Sequence, residues 1–227
     1  MRPVGRSTSA PDEVGRRGLI AAGGGLVLTI ATTGCLDWLD DQLTFEASPA
    51  TVSDGTLEDT GYEHVETRAV EVAKTFEAGG QSQDVTTVNQ IAEYDKRVEL
   101  SIGSQRAAVF AALATPQVEV LDETFNPVGD MSTRELAEMV QQQYEEFEDL
   151  EHASDGTVEV LGTETTRSRF VGEAQLRAGA RVDLDIHLTE AVASGEDFVV
   201  CIGAFPSALS GELEDVETMM RGLAHGG

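Results

Sequence analysis

Along most of this chain apolar residues recur at every second position, and only in a few places at every third or fourth. Val70, Val72 and Phe76 stand among polar residues, as do Val85, Thr87, Asn89 and Ile91, with Ala78-Gly79-Gly80-Gln81 between the two sets. A period of two is that of a half-buried strand, and a Gly-Gly break between two such runs predicts a β-hairpin. A helix over 62–76 is the competing reading of the first run. LTFEASP predicts a short first strand ended by Pro49. AAVFAALA predicts a buried strand over 106–114, ending before Pro116, and QVEVLDETF a fourth that runs into the Asn126-Pro127 turn. Further strands are expected near 157–161, 164–175, 180–189 and 197–205, with Ser194-Gly195-Glu196 turning into the last of them.

Helical spacing is clearest from Ser132 to Phe147. Ser132 and Glu135 have capping-box spacing, and Leu136, Met139, Val140, Gln143 and Phe147 fall on one face. The acidic run EEFEDLEH would be its solvated end. A short helix is expected from Ser53 to the C-cap Gly61, and a closing helix over 210–224 with Leu213, Val216, Met219, Met220 and Leu223 as its buried stripe. Hairpin strands with helices set apart from them predict an α+β domain: an antiparallel sheet with helices packed on it. No internal repeat is visible. The predicted division is residues 1–34 as a signal peptide, 35–43 as a lipidated cysteine and short tether, and 44–227 as one extracytoplasmic domain.

Charge narrows the setting. The 227 residues include 41 acidic and 15 basic side chains, for a net charge of -26, and only two of the bases are lysines, Lys74 and Lys96. The acids are spread over the whole chain. Such a charge repels itself in dilute buffer, whereas at molar salt the Debye length falls to about 3 Å and the repulsion is screened. The composition resembles that of a haloarchaeal protein. It excludes nucleic acid as a partner, since phosphate binding needs a basic footprint, and it disfavours attraction to anionic lipid through basic patches. Two cysteines, Cys35 and Cys201, are too few for a disulfide framework or a paired-cysteine zinc site.

The N-terminal segment RRGLIAAGGGLVLTIATTGC carries the most specific signal. Arg16-Arg17 precede an uncharged stretch, 18–34, of 17 residues with five glycines. Its length sits at the lower limit for a membrane span, and the order of basic, apolar and small residues is that of an export signal. Arg16 and Arg17 followed by Gly18-Leu19-Ile20 resemble a twin-arginine signal, and Thr32-Thr33-Gly34-Cys35 resembles the lipobox of secreted lipoproteins, with Thr32 where that family favours Leu. The resemblance implies cleavage before Cys35, a lipid on its sulfur, and a domain held on the outer face of the cell membrane, because two lipid chains anchor stably where one is marginal. Gly23-Gly24-Gly25 lacks the GK[ST] ending and the preceding strand of a phosphate loop. Trp38, the only tryptophan, falls in the short tether, where it would suit either the membrane interface or packing on the domain.

The second half, from VLGTETTRSRF to DFVVCIGAFPSALSGELEDVETMMRGL, resembles the closing hairpins and terminal helix of Mog1/PsbP-like domains. The whole chain, through TTGC, LTFEASPATV, DTGY, AEYDK, ATPQVEV, FNPVGDMSTREL and AFP, is similar to an uncharacterised group of haloarchaeal lipoproteins. The first likeness implies an accessory or scaffold role; the second implies no activity.

Candidate chemistry is sparse. In a strand over 181–189, Asp183, Asp185 and His187 share one face and Val182, Leu184 and Ile186 the other. A carboxylate and an imidazole on one face are potential ligands for a divalent metal, although same-face neighbours some 6–7 Å apart do not easily chelate one ion together; the competing reading is a solvated acidic face. Cys201, in FVVCIGAF, has the apolar setting of a buried inert thiol. His64, His152 and His225 stand isolated in sequence, and neither HExxH nor GxSxG occurs. No cofactor motif is found. The expectation is a membrane-anchored, non-enzymatic binding or accessory module for a protein or small ligand; a surface hydrolase using Asp183, Asp185 and His187, and a purely structural envelope component, are the alternatives.

Overall fold

Alternation prevails over helical spacing between residues 62 and 76: strand β3 (Glu63–Ala78) pairs along its whole length with β4 (Gln81–Leu100) as the arms of a hairpin. The computed structural model describes residues 43–78, 81–100, 103–120, 123–124, 127–143, 147–175 and 181–226, all within one compact unit, Asp37–Gly227. The export segment with Arg16 and Arg17, the glycine triplet, Cys35, the tether with Trp38 and the Gly79-Gly80 turn lie outside the described residues.

The remaining strands are β1 (Leu43–Glu46), β2 (Ala50–Val52), β5 (Gly103–Pro116), β6 (Glu119–Val120), β7 (Glu123–Thr124), β8 (Phe147–Val160), β9 (Thr163–Gln175), β10 (Arg181–Thr189), β11 (Val192–Ser194), β12 (Asp197–Pro206) and β13 (Leu223–His225). The helices are α1 (Asp54–Thr60), α2 (Thr133–Gln143) and α3 (Glu212–Arg221). The main sheet runs β3-β4-β5-β12-β10-β9-β8. β1 lies beside β4 in line with β5, because it pairs with Val85–Val88 while β5 begins its pairing at Gln90; β11 extends the β10 side of β12 in the same way. β1 is parallel to β4 and the other pairings are antiparallel. The domain is therefore α+β with a mixed sheet: two meanders, β3-β4-β5 and β8-β9-β10-β12, joined at their last strands.

Helices cover both faces. On one, α3 and α1 pack over Tyr94, Phe110, Cys201 and the alanines of β5, with Val216, Met219 and Met220 of α3 fully buried. Small residues let α3 approach: a Cβ on Gly203 would stand 2.5 Å from Val216 Cγ1. On the other face α2 lays Leu136 and Ala137 over Phe170, Ile186, Leu188 and Val200. α3 is also tied down electrostatically. Lys96 Nζ of β4 lies 3.0 Å from Glu212 Oε2 and 2.6 Å from Asp215 Oδ2, and the Tyr62 hydroxyl donates to Glu212 Oε1 at 2.9 Å.

The three expected caps form. Ser53 Oγ accepts from Thr56 N, and Gly61 closes α1 in the left-handed region at φ 74°. Ser132 N donates to Glu135 Oε2 at 2.8 Å while Glu135 N donates back to Ser132 Oγ. Four expectations need correction. α2 ends at Gln143 and Phe147 starts β8, where it pairs with Ala174, so EDLEH is strand. Met139 is 43% exposed, because α2 packs through Thr133, Leu136 and Ala137. Among its described residues QVEVLDETF makes the two-residue strands β6 and β7, which pair with each other outside the main sheet. α3 ends at Arg221; a side chain on Gly222 would collide with Thr56 of α1, and the chain turns there into β13, which pairs Leu223 with Val52 of β2. Leu223 is thus buried from a strand, and Leu213 is 37% exposed.

Candidate functional site

The period-two reading of β10 holds. Asp183, Asp185 and His187 lie opposite Glu173, Val171 and Arg169 of β9, on the face that carries α3, while Leu184 and Ile186 point to the α2 side. The three do not share one environment, and the expected solvated face is only partly present. His187 is buried beneath α3, its ring stacked on Phe205 at 5.5 Å. Arg167 Nη1 donates to its Nδ1 at 2.6 Å and also pairs with Glu217 of α3, Nη2 to Oε1, at 3.3 Å. Burial, reinforced by the Arg167 charge, pushes the His187 pKa down to about 4 against the pull of Asp185. The ring is neutral, its proton is on Nε2, and that nitrogen is buried with no hydrogen-bond partner. Asp185 Oδ1 accepts from Arg169 at 2.8 Å and from Ser207 Oγ at 2.7 Å; burial works against its charge, but these bonds outweigh it and hold the carboxyl below its ordinary range. Asp183 is exposed.

These contacts set what the site can do. Two guanidiniums stand beside His187 and Asp185, and among the described residues no group of three or more His, Cys, Asp or Glu is arranged to hold a metal ion. Around Asp183 the sheet opens into a groove of about 430 Å³, lined by Glu151, Val171, Glu173, Asp183, Leu184 and Ser207 with Arg181. Arg181 is paired with Glu173 at 3.0 Å. The groove therefore presents an apolar floor at Val171 and an acidic rim, suited to a ligand with a cationic group. Cys201 is fully buried, with its thiol pushed up to about 12 by that burial.

A second cluster joins residues far apart in sequence. His225 of β13 reaches the β11–β12 hairpin: its Nδ1 is 3.0 Å from Ser194 Oγ, and its Nε2 is 3.1 Å from Asp197 Oδ2 and 3.1 Å from the Ser48 carbonyl oxygen. Ser48 N donates to the same Asp197 oxygen at 2.9 Å. The His225 and Asp197 side chains are only 4% and 8% exposed. A groove of about 230 Å³ opens over this cluster, lined by Glu46, Ser48, Ser194, Glu196, Asp197 and His225.

The other histidines are not isolated either. His64 Nε2 bonds Thr67 Oγ1 and its ring meets Tyr94 edge-on; His152 Nε2 pairs with Asp155 at 2.7 Å and its ring meets Phe170. The period of β10 located the first site in sequence. No local signal located the second, since His225 and Ser48 are 177 positions apart and long-range contacts, the β13–β2 pairing and the Ser53 N to Gly222 O bond among them, bring the two ends of the domain together. No curated protein matches the chain. Residues 49–224, nearly the whole described domain, match the domain of unknown function DUF6517, and the chain belongs to that family.

Proposed function

We propose that this chain is a lipid-anchored, extracytoplasmic binding module that works on the outer face of the cell membrane at high salt. The observation that carries the reading is the short stretch of sequence between Cys35 and the first strand of the fold. β1 begins at Leu43 and is built directly into the sheet, so the eight steps from Cys35 reach about 28 Å at full extension. A lipid on Cys35 would hold the domain within that distance of the bilayer, and the lipobox-like TTGC and the Arg16-Arg17 export pattern supply the attachment. The acidic groove at Glu151, Glu173 and Asp183 is the proposed seat for a protein or small ligand bearing a cationic group. The finer fold assignment, Mog1/PsbP-like, belongs to the same proposal; helices on both faces of an antiparallel meander support it, and the accessory role of such domains is carried over by analogy.

The test is Cys35→Ser in a host that processes lipoproteins. The wild type is expected in the membrane pellet with a lipid-modified N-terminal peptide by mass spectrometry, and the variant in the medium or as uncleaved precursor. Membrane retention with normal processing of Cys35→Ser would overturn the anchor. In the same strains, Asp183→Arg should lose a co-purifying partner that the wild type retains at high salt; identical recovery would remove the groove from the reading.

A further inference from the structure

The cluster at His225 has the three parts of an activated nucleophile, in a groove, on rigid strands. Asp197 Oδ2 and the Ser48 carbonyl both stand at 3.1 Å from His225 Nε2, and both are acceptors only. In its neutral form the ring therefore carries its proton on Nε2. That leaves the lone pair on Nδ1, 3.0 Å from Ser194 Oγ, where it accepts the serine hydroxyl proton. A serine bonded to an imidazole that is itself bonded to a buried carboxylate has the parts of a nucleophile–base–orienter set, here with Nδ1 facing the serine and Nε2 the carboxylate, the reverse of the ring orientation in the Ser-His-Asp triad. We propose that Ser194 is a nucleophile for acyl transfer, with His225 as its general base and Asp197 as the positioning carboxylate, acting on small esters that are neutral or cationic.

The surroundings define the substrate class. The groove over Ser194 measures about 230 Å³, below the roughly 300–1,000 Å³ of drug-sized ligand sites, so it suits a short acyl group. Glu46 and Glu196 form its lip and repel carboxylate- or phosphate-bearing substrates. Ser194, Gly195, Glu196 and Asp197 make a four-residue turn with Gly195 at φ 62°. The hydrogen bond of such a turn joins its first and last residues, so the turn itself does not use the amides of Gly195 and Glu196, the two that follow the nucleophile in sequence.

The reaction balances without any further cofactor. Ser194 Oγ adds to the ester carbonyl carbon as its proton passes to His225 Nδ1, and the imidazolium is held by Asp197. The proton then goes to the departing alkoxide, the C–O bond breaks, the alcohol leaves, and an acyl ester remains on Ser194. Water adds to that ester, giving a proton to Nδ1. Collapse releases the carboxylic acid and returns the proton to Ser194 Oγ. One ester and one water become one acid and one alcohol.

The experiment uses the full chain in detergent at molar NaCl. It is treated with a biotinylated fluorophosphonate and mapped by peptide mass spectrometry, and in parallel assayed for release of p-nitrophenol from p-nitrophenyl acetate and butyrate. The proposal expects the label on Ser194. It also expects hydrolysis that falls by about a hundredfold or more in Ser194→Ala, within the range that positioned base and nucleophile contribute, and a slower rate in Asp197→Asn. Ser194 is a partly exposed hairpin residue, so Ser194→Ala should keep the wild-type circular dichroism spectrum; Ser194→Cys, which keeps a nucleophile, serves as a second folded variant and should take up iodoacetamide faster than a surface thiol. An unlabelled Ser194, or hydrolysis unchanged in Ser194→Ala, would overturn the proposal and leave the cluster as a structural clasp between the chain ends.

Discussion

Replacing Lys96 with methionine tests what fixes α3 to the sheet. The substitution keeps most of the aliphatic stem and removes the charge. In the native fold the ammonium lies 3.0 Å from Glu212 Oε2 and 2.6 Å from Asp215 Oδ2. The Lys96 and Glu212 side chains are 22% and 7% exposed, so Lys96→Met strands a buried carboxylate next to a second acid. Breaking one side of a buried pair costs about 3–5 kcal/mol. The half-exposed Asp215 and the retained Tyr62 hydroxyl on Glu212 place this case near the lower end, about 3 kcal/mol, or roughly 6–12 °C in Tm for a domain of this size. Thermal unfolding followed by circular dichroism at molar salt is the appropriate assay, because exposed pairs are screened there and buried ones much less. Adding Glu212→Gln should recover most of the loss, since the amide oxygen still accepts from Tyr62 and the one acid left there, Asp215, is partly exposed to solvent. The pH dependence has a defined sign. Burial opposes the Lys96 charge, but the bonds it donates to Asp215 and Glu212 outweigh that and raise its pKa. The contribution is therefore fully present below the ordinary lysine value and fades only as pH climbs through the raised folded value. A Lys96→Met protein that melts within a degree or two of wild type, or a second substitution that makes matters worse by another full increment, would refute the argument.

Two further outcomes follow from the same face of the sheet. His187, with Arg167 and Arg169 on β9, Asp185 on β10 and Glu217 on α3 around it, titrates in the folded state at about 4 against about 6.5 when unfolded. Its contribution is whole above that unfolded value and is lost as pH falls towards 4, about 3 kcal/mol in all; urea midpoints measured from pH 7 to 4 should show that slope in the wild type and a shallower one in His187→Gln, and equal slopes would refute the assignment. Gly203→Ala places a methyl 2.5 Å from Val216 Cγ1 and should cost about 1–3 kcal/mol through overpacking, read as a lower urea midpoint, with an unchanged midpoint counting against close α3 packing.

The parts of the fold that were readable in sequence are those where one local rule acts alone. The strands β9, β10 and β12 lie where their apolar residues and flanking turns put them, and the caps at Ser53, Gly61 and Ser132 form as those residue types dictate. Where two rules compete, tertiary pairing decides. Phe147 continues the helical stripe of α2 in sequence, yet its backbone is taken by Ala174 of β9. Leu223 continues the stripe of α3, yet the close approach of Thr56 at Gly222 turns the chain into β13. The candidate sites divide the same way. That Asp183, Asp185 and His187 share a face follows from the pleat; that His187 is buried depends on α3 and on Arg167 of another strand. The joining of Ser194, Asp197 and His225 depends on contacts between the two ends of the domain, and no spacing within either segment records it.

The same contacts explain how so acidic a chain holds a core together. Salt screens the carboxylates at the surface, but it cannot solvate one that folding has removed from water, so each such acid needs a fixed partner. Three acids are buried among the described residues, Asp95, Asp197 and Glu212, and each faces a base: Asp95 lies 3.5 Å from both Arg97 and Arg106, Asp197 meets His225, and Glu212 meets Lys96. Half-buried Glu217 and Asp185 are likewise held by Arg167 and Arg169. Several of the scarce bases thus stand beside buried or half-buried acids, on the β4–β5 hairpin, under α3 and where β13 meets β12. Net charge therefore governs how the domain responds to its solvent, while a few cations, placed by long-range contacts, govern how its helices and termini are seated. His225 differs from the rest of that set. Lys96 and the arginines carry permanent charge and serve their acids by attraction, whereas a neutral imidazole serves Asp197 by donating from one nitrogen and keeps the other free for Ser194. A lysine or arginine there would satisfy the buried carboxylate with a stronger charge but would offer Ser194 no lone pair, and that difference separates a residue placed only to seat the chain end from one that also activates a hydroxyl.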